Sequence, residues 1–186
     1  MSPKPKCIIV TGRPGSGKNT LAGKLARALW MPLVSRDEIK EGYVNTFGVK
    51  HDELGPDANA GATGLFFEIV NVYLSRNISI VIEAAFQHSV WEPRIPKILE
   101  LASAFIILCS IDDSVAARRY LERGLAEPER EFYHGDNMVV HYRKTGEVLP
   151  YASYTPPKFD LPTIEVSTDG EYSPTIDEVV KQIRSR

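Results

Sequence analysis

Apolar residues along the chain follow two alternating patterns. Continuous short runs at 6–11, 32–34, 78–82, 104–111 and 162–166 predict five strands. Between them, apolar positions recur at helical spacing. Leu21, Ala22, Leu25, Ala26, Ala28 and Leu29 predict a helix over 18–30. A second helix is expected from Arg36 to about Phe47, with Ser35 as its cap and Glu38 completing a capping box. A third, over 63–76, turns Leu65, Phe66, Ile69, Val70, Val72 and Tyr73 inward. Further helices are expected within 91–103, where Pro93 and Pro96 confine the start, from Asp112 or Asp113 to about Arg123, and over 175–184. Residues 48–61 read as a polar surface loop. The strands are apolar throughout rather than on alternate positions. Such strands are buried on both faces, as in a parallel sheet covered by helices. Only 124–161 breaks the pattern; its aromatic residues, prolines and charges suggest a lid or a substrate-facing excursion.

Composition narrows the class without naming a function. The chain has 186 residues and reads as a single domain over 1–186. With 22 basic and 24 acidic residues the formal charge is -2, so no global pull toward nucleic acid or an anionic membrane exists. Cys7 and Cys109 are too few for a disulfide framework and sit in apolar runs, as reduced structural thiols do. No apolar stretch reaches the ~18 residues of a membrane helix, and no secretory leader is evident. A soluble, cytoplasmic protein is expected, monomeric or weakly dimeric.

The chemistry concentrates after the first strand. Gly12, Arg13, Pro14, Gly15, Ser16, Gly17, Lys18, Asn19 and Thr20 follow G-x-x-x-x-G-K, the phosphate-cradling Walker A pattern, up to its last place. Glycines let successive backbone N–H groups curl around a phosphate. The helix beginning at Lys18 adds its positive end, and the lysine reaches the outer phosphates. The next position normally carries Ser or Thr, whose hydroxyl ligates Mg²⁺; here it is Asn19, whose amide oxygen is a hard ligand on a longer stem.

Other candidates gain force from their order. Asp37 follows the second strand, 19 residues after Lys18, where a carboxylate can accept the proton of an attacking hydroxyl. Glu83 closes the third apolar run, as an acid holding Mg²⁺ or its water shell would. Arg119 and Arg123 lie four apart where a lid would begin, placed to neutralise charge on transferring phosphates. His51, His88, His134 and His141 lack metal-ligand spacing and read as satisfied or surface residues.

The loop from Gly12 to Thr20, Asp37 with Lys40 three later, Glu83 after its apolar run and the Arg119/Arg123 pair together resemble the P-loop kinase group. That group includes zeta-toxin-like kinases, chloramphenicol phosphotransferase, gluconate kinase and polynucleotide 5′-kinase. The tail 162–174 with its closing helix is similar too. The resemblance implies a three-layer α/β fold with five parallel strands in order 2-3-1-4-5 and a helical lid. It implies transfer of the ATP γ-phosphate to a small-molecule alcohol, with Mg²⁺ held by Asn19 and Glu83, Asp37 as base, and Lys18, Arg119 and Arg123 on the phosphates. GTP stays open as the donor. Two alternatives remain: a polynucleotide 5′-hydroxyl kinase, disfavoured by the charge balance, and a non-catalytic nucleotide-binding module, suggested by Asn19. Lys40 stands where polynucleotide kinases tend to carry arginine. No pattern in 42–62, 84–95 or 124–161 names the acceptor.

Overall fold

The computed structural model describes residues 4–55, 57–149 and 153–185. Strand β1 (Lys6–Thr11) lies at the centre of a five-stranded sheet. It pairs in parallel with β3 (Ile80–Ala84) on one side and β4 (Ser103–Ser110) on the other. Outside these lie β2 (Leu33–Ser35) and β5 (Thr163–Ser167), giving the order β2-β3-β1-β4-β5 with every pairing parallel.

The sheet's two faces explain the unbroken apolar runs. On one face Cys7, Ile9, Ile80, Ile82 and Ile106 pack against Phe66, Phe67, Trp91 and Ile98. These come from α3 (Ala58–Ser75), α4 (His88–Trp91) and α5 (Ile95–Leu101). On the other face Ile8, Val10, Val81, Phe105 and Ile107 meet Leu21, Leu25, Val179 and Ile183 of α1 (Lys18–Leu29) and α9 (Ile176–Arg184). Successive strand residues point to opposite sides, so both sets must be apolar. The expected three-layer α/β architecture and strand order are therefore present.

Several boundaries differ from the sequence reading. Helix α2 (Arg36–Phe47) begins as expected, but Ser35 does not cap it with a side-chain hydrogen bond. Its hydroxyl instead donates to Glu83 Oε2 at 2.7 Å. The two residues are register partners on β2 and β3, and a buried carboxylate competes successfully for the donor. Helix α3 starts at Ala58, earlier than expected, after a 3₁₀ turn at His51–Glu53 inside the supposed loop. Its buried face runs Ala62, Phe66, Val70, Leu74, leaving Leu65 and Val72 exposed. The third strand is shifted two residues along the chain at both ends, so Glu83 lies within it, before Ala84. The helix expected within 91–103 is α5, with Pro96 in its first turn, and the short α4 precedes it.

Three helices organise much of 113–145: α6 (Asp113–Ala126), α7 (Arg130–His134) and α8 (Asn137–Thr145). Ala117, Leu121, Met138 and Val139 give α6 and α8 a small core of their own. Positions 150–152 of the anticipated lid lie outside the described residues. No helix among the described residues is long and apolar enough to cross a membrane.

Candidate active site

The loop between β1 and α1 sits at the carboxyl edge of the central strand. In an open parallel sheet that edge is the ligand crevice. Gly15 has φ +78° and passes so close to the Ala116 carbonyl of α6 that any Cβ would collide with it. At Gly12 a Cβ would stand 2.6 Å from Ser16 Oγ and 3.0 Å from the Cys109 carbonyl oxygen. Both glycines thus let the backbone turn tightly beneath its neighbours. The loop is also tied from outside. Thr168, in the segment after β5, donates its hydroxyl to the Ser16 carbonyl at 2.7 Å. Arg119 Nη1 donates to the Thr168 carbonyl at 2.9 Å, and Nη2 meets Asp169 at 3.3 Å. Arg13 pairs with Asp113 at 2.7 Å.

Lys18 opens α1 and is 6% exposed. Its Nζ lies 3.6 Å from Glu83 Oε1, on a side chain that is 1% exposed. Burial pushes the Glu83 carboxyl upward, while Lys18 and the Ser35 hydroxyl pull it back. With Oε2 bonded to Ser35, Oε1 has no hydrogen-bond partner among the described residues. One buried acceptor oxygen therefore faces the end of the phosphate loop. Asn19 and Thr20 are exposed in the first turn of α1. A cation over the loop would find the Glu83 oxygen and the Asn19 amide as donors, a set that suits a hard, largely hydrated ion such as Mg²⁺. Among the described residues there is no group of three or more His, Cys, Asp or Glu able to hold a metal unaided.

Asp37 stands in the first turn of α2, directly after β2, with its side chain 41% exposed. Burial raises its carboxyl, but Lys18, His134, Arg36 and Lys40 outweigh that and hold it below its ordinary value. It is therefore an ionised base in the field of the phosphate-loop lysine. Arg36 Nη1 lies 3.5 Å from its Oδ1.

Arg119 and Arg123 project from α6 but take different surroundings. Arg119 is engaged by the segment after β5. Arg123 lies over the Tyr120 ring, 5.7 Å from its centroid, and its Nε is buried with no hydrogen-bond partner among the described residues. Burial, then Asp136, pushes the Tyr120 phenol up, while Arg130 and Arg123 pull it back. His88 is structural: its Nδ1 accepts from the Lys158 backbone at 3.2 Å and its ring stacks on Phe159. His134 sits 2.8 Å from Glu41 Oε1.

Four contributors were not singled out from the sequence. Ser35 was read as a cap. Thr168 gave no signal beyond its place before Asp169–Gly170. Arg36 was read only as the start of a helix. Tyr154, one of the aromatic residues of 124–161, approaches Thr11 Oγ1 to 3.1 Å at the root of the phosphate loop. Its segment is stitched to the turn after β3 by Gln87 and His88.

The AAA_33 family model, described as an AAA domain, matches residues 7–138. By sequence no curated protein matches. The fold is shared with a proposed kinase of Chloroflexus aurantiacus at 22% identity and TM-score 0.74, with 98% of each chain covered. It is shared with the APS kinase of Mycobacterium tuberculosis, solved with AMPPNP and APS, at 15% identity and TM-score 0.59 over 99% of this chain and 98% of that one. A gluconokinase of Sinorhizobium meliloti 1021 superposes at 15% identity and TM-score 0.56 over 99% and 94%. The architecture is thus a kinase-like P-loop fold.

Proposed function

Because the chain belongs to the AAA_33 family of AAA domains and has a kinase-like P-loop fold, we propose that it is an ATP-dependent kinase acting on a hydroxyl of a small molecule. The observation that carries this reading is the convergence of Lys18 and an ionised Asp37 at the carboxyl edge of the sheet. The loop amides and Lys18 bind the outer phosphates of ATP. Asp37 orients the acceptor hydroxyl and accepts its proton. The hydroxyl oxygen forms a bond to the γ-phosphorus, the bond from that phosphorus to the β–γ bridging oxygen breaks, and ADP leaves with the electron pair. Arg123 stabilises charge on the transferring group, and Arg119 braces the segment that supports the loop. Mg²⁺, when bound, neutralises charge on the outer phosphates, with Asn19 and, through water, Glu83 as its holders.

Asn19 supports a second reading, a nucleotide-binding module without turnover. Calorimetry with ATP, with and without Mg²⁺, separates the two when repeated on Asn19→Ser. A working Asn19 gives binding that tightens with Mg²⁺, and activity that does not rise in Asn19→Ser. Binding indifferent to Mg²⁺, with activity appearing only in Asn19→Ser, supports the silent module. The absence of any ATP binding defeats both.

A further inference from the structure

Thr168 is the first residue after β5, and it is 5% exposed. All three of its polar groups are engaged, each toward a different part of the fold. Its N–H donates to the Ser110 carbonyl at the end of β4, at 3.0 Å. Its carbonyl accepts from Arg119 Nη1 of α6 at 2.9 Å. Its hydroxyl lies 2.7 Å from the Ser16 carbonyl and 3.4 Å from the Ser110 carbonyl. A hydroxyl has one proton to give, so the far shorter contact, to Ser16, is where it goes. Thr168 is thus a post held by the sheet on one side and by α6 on the other, set against the phosphate loop just before Lys18.

What that post fixes is the direction of one peptide group. The peptide joining Ser16 to Gly17 is planar and trans, so its carbonyl and its N–H point in opposite directions. With the Ser16 carbonyl held outward by Thr168, the Gly17 N–H is turned toward the inner side of the loop. The surrounding backbone groups are already committed. The Ser16 N–H closes a turn on the Arg13 carbonyl at 3.2 Å, and the Gly17 carbonyl accepts from the Leu21 N–H at 3.1 Å in the first turn of α1. The Gly17 N–H meets no acceptor among the described residues. It stands directly before the N–H groups of Lys18, Asn19 and Thr20, which a helix start leaves unsatisfied. Gly17 itself does not set the direction. Its φ is +75°, and glycine takes negative φ about as readily, so the flipped peptide is open to it. The bond from Thr168 removes that freedom.

We propose that Thr168 is a positioning residue of the phosphate loop: its hydroxyl fixes the Ser16–Gly17 peptide so that the Gly17 N–H donates to a phosphate oxygen of the nucleotide. The direction of the peptide is a property of the fold, whereas its use rests on the nucleotide-binding reading above. The gain is preorganisation. Without the post the glycine peptide is free to turn, and each binding event must reorder it at a cost in affinity. Thr168 touches no substrate atom, so its effect falls on the grip of the loop on phosphate and not on the chemistry at the acceptor.

The test titrates ATP and pyrophosphate into the full chain by calorimetry, for the parent, Thr168→Val and Thr168→Ser. Valine keeps the shape and removes the donor, and serine keeps the donor. Thr168→Val is expected to weaken both ligands about tenfold, the worth of one hydrogen bond, and Thr168→Ser to recover most of that loss. A second readout uses the unmodified protein, so misfolding of a variant does not affect it. Ser–Gly occurs once in the sequence, so isotope labels on serine carbonyls and glycine nitrogens, introduced by cell-free synthesis, isolate the Ser16–Gly17 amide by NMR. Bound pyrophosphate is expected to move that amide proton downfield, as a hydrogen bond to an anion does. A purely structural Thr168 would lower the melting temperature of Thr168→Val and leave both affinities unchanged. That result, an equal loss in the valine and serine variants, or a Gly17 amide indifferent to bound pyrophosphate would overturn the proposal. The expected binding pattern with no phosphoryl transfer to any hydroxyl acceptor would keep the role of Thr168 and sink the kinase reading. A parent that binds neither ligand would overturn both.

Discussion

At the scale of single residues, Lys40 is the clearest case of a side chain that the fold does not need. The residue is largely buried, and burial, then Arg36, brings its amino group down from 10.5 to about 8 against the pull of Asp37, Asp52 and Glu41. Between those values the unfolded chain binds more protons than the folded one, so this residue makes stability rise with pH across that window. Below pH 8 the full shift corresponds to about 3 kcal/mol, of which solvent screening of the part-buried amino group leaves about 2 kcal/mol as a cost to the fold. Lys40→Met is therefore expected to be more stable than the parent by about that amount at pH 7, with the gain shrinking toward pH 10. Urea unfolding at the two pH values measures it. Equal or lower stability of the variant at pH 7 would mean that Lys40 has partners in the fold. Ser35 makes the opposite case. Its hydroxyl satisfies a nearly fully buried carboxylate. Ser35→Ala should cost about 1–3 kcal/mol. In a double-mutant cycle with Glu83→Gln that cost should be strongly coupled. A purely capping role would give two independent costs.

At the scale of elements, the strands were legible because both faces of a parallel sheet are covered, which makes each strand a continuous apolar run. Helices α1 and α9 were legible by their spacing. The errors have physical causes. Ser35 followed by Glu38 carries the letters of a capping box, but nothing local in the sequence reveals that Glu83 lies opposite on the neighbouring strand. Where no buried acid intervenes, the motif behaves as expected: Thr175 and Glu178 form a reciprocal capping box at α9. Thr175→Ala should cost about 1 kcal/mol in thermal unfolding. The face of α3 was misjudged because Leu65 and Val72 are apolar yet exposed. Helices α7 and α8 were hidden because their packing is a small satellite core plus polar fastenings, such as His134 to Glu41, between residues far apart in sequence. The phosphate loop, in contrast, was readable from its glycines, because close approach demands them at 12 and 15 and a positive φ favours one at 17. Gly15→Ala forces a Cβ onto the Ala116 carbonyl at a positive φ. It should destabilise the chain by at least about 1–3 kcal/mol and remove the stabilisation that ATP confers. Retention of full ATP stabilisation in this variant would show that the loop does not cradle the nucleotide.

At the scale of the molecule, the strand order decides which residues meet. Placing β1 at the centre with β3 and β4 beside it brings the phosphate loop, Glu83 and the segment after β4 to one edge. The outer position of β2 sets Asp37 at the same edge, within the electrostatic reach of Lys18. Spacing along the chain could name Asp37 and Lys18, but only the topology brings them to one edge of the sheet. The central claim is that this edge moves a phosphoryl group from ATP to a small hydroxyl compound with Asp37 as the base. Its most direct test is transfer of label from γ-labelled ATP to pooled small alcohols and polyols, comparing the parent chain with Asp37→Asn. The account predicts labelled product from the parent and a loss of about 10²–10⁴-fold in the variant, with ATP binding retained. Transfer at an undiminished rate by Asp37→Asn, or label released only to water by the parent, would contradict it.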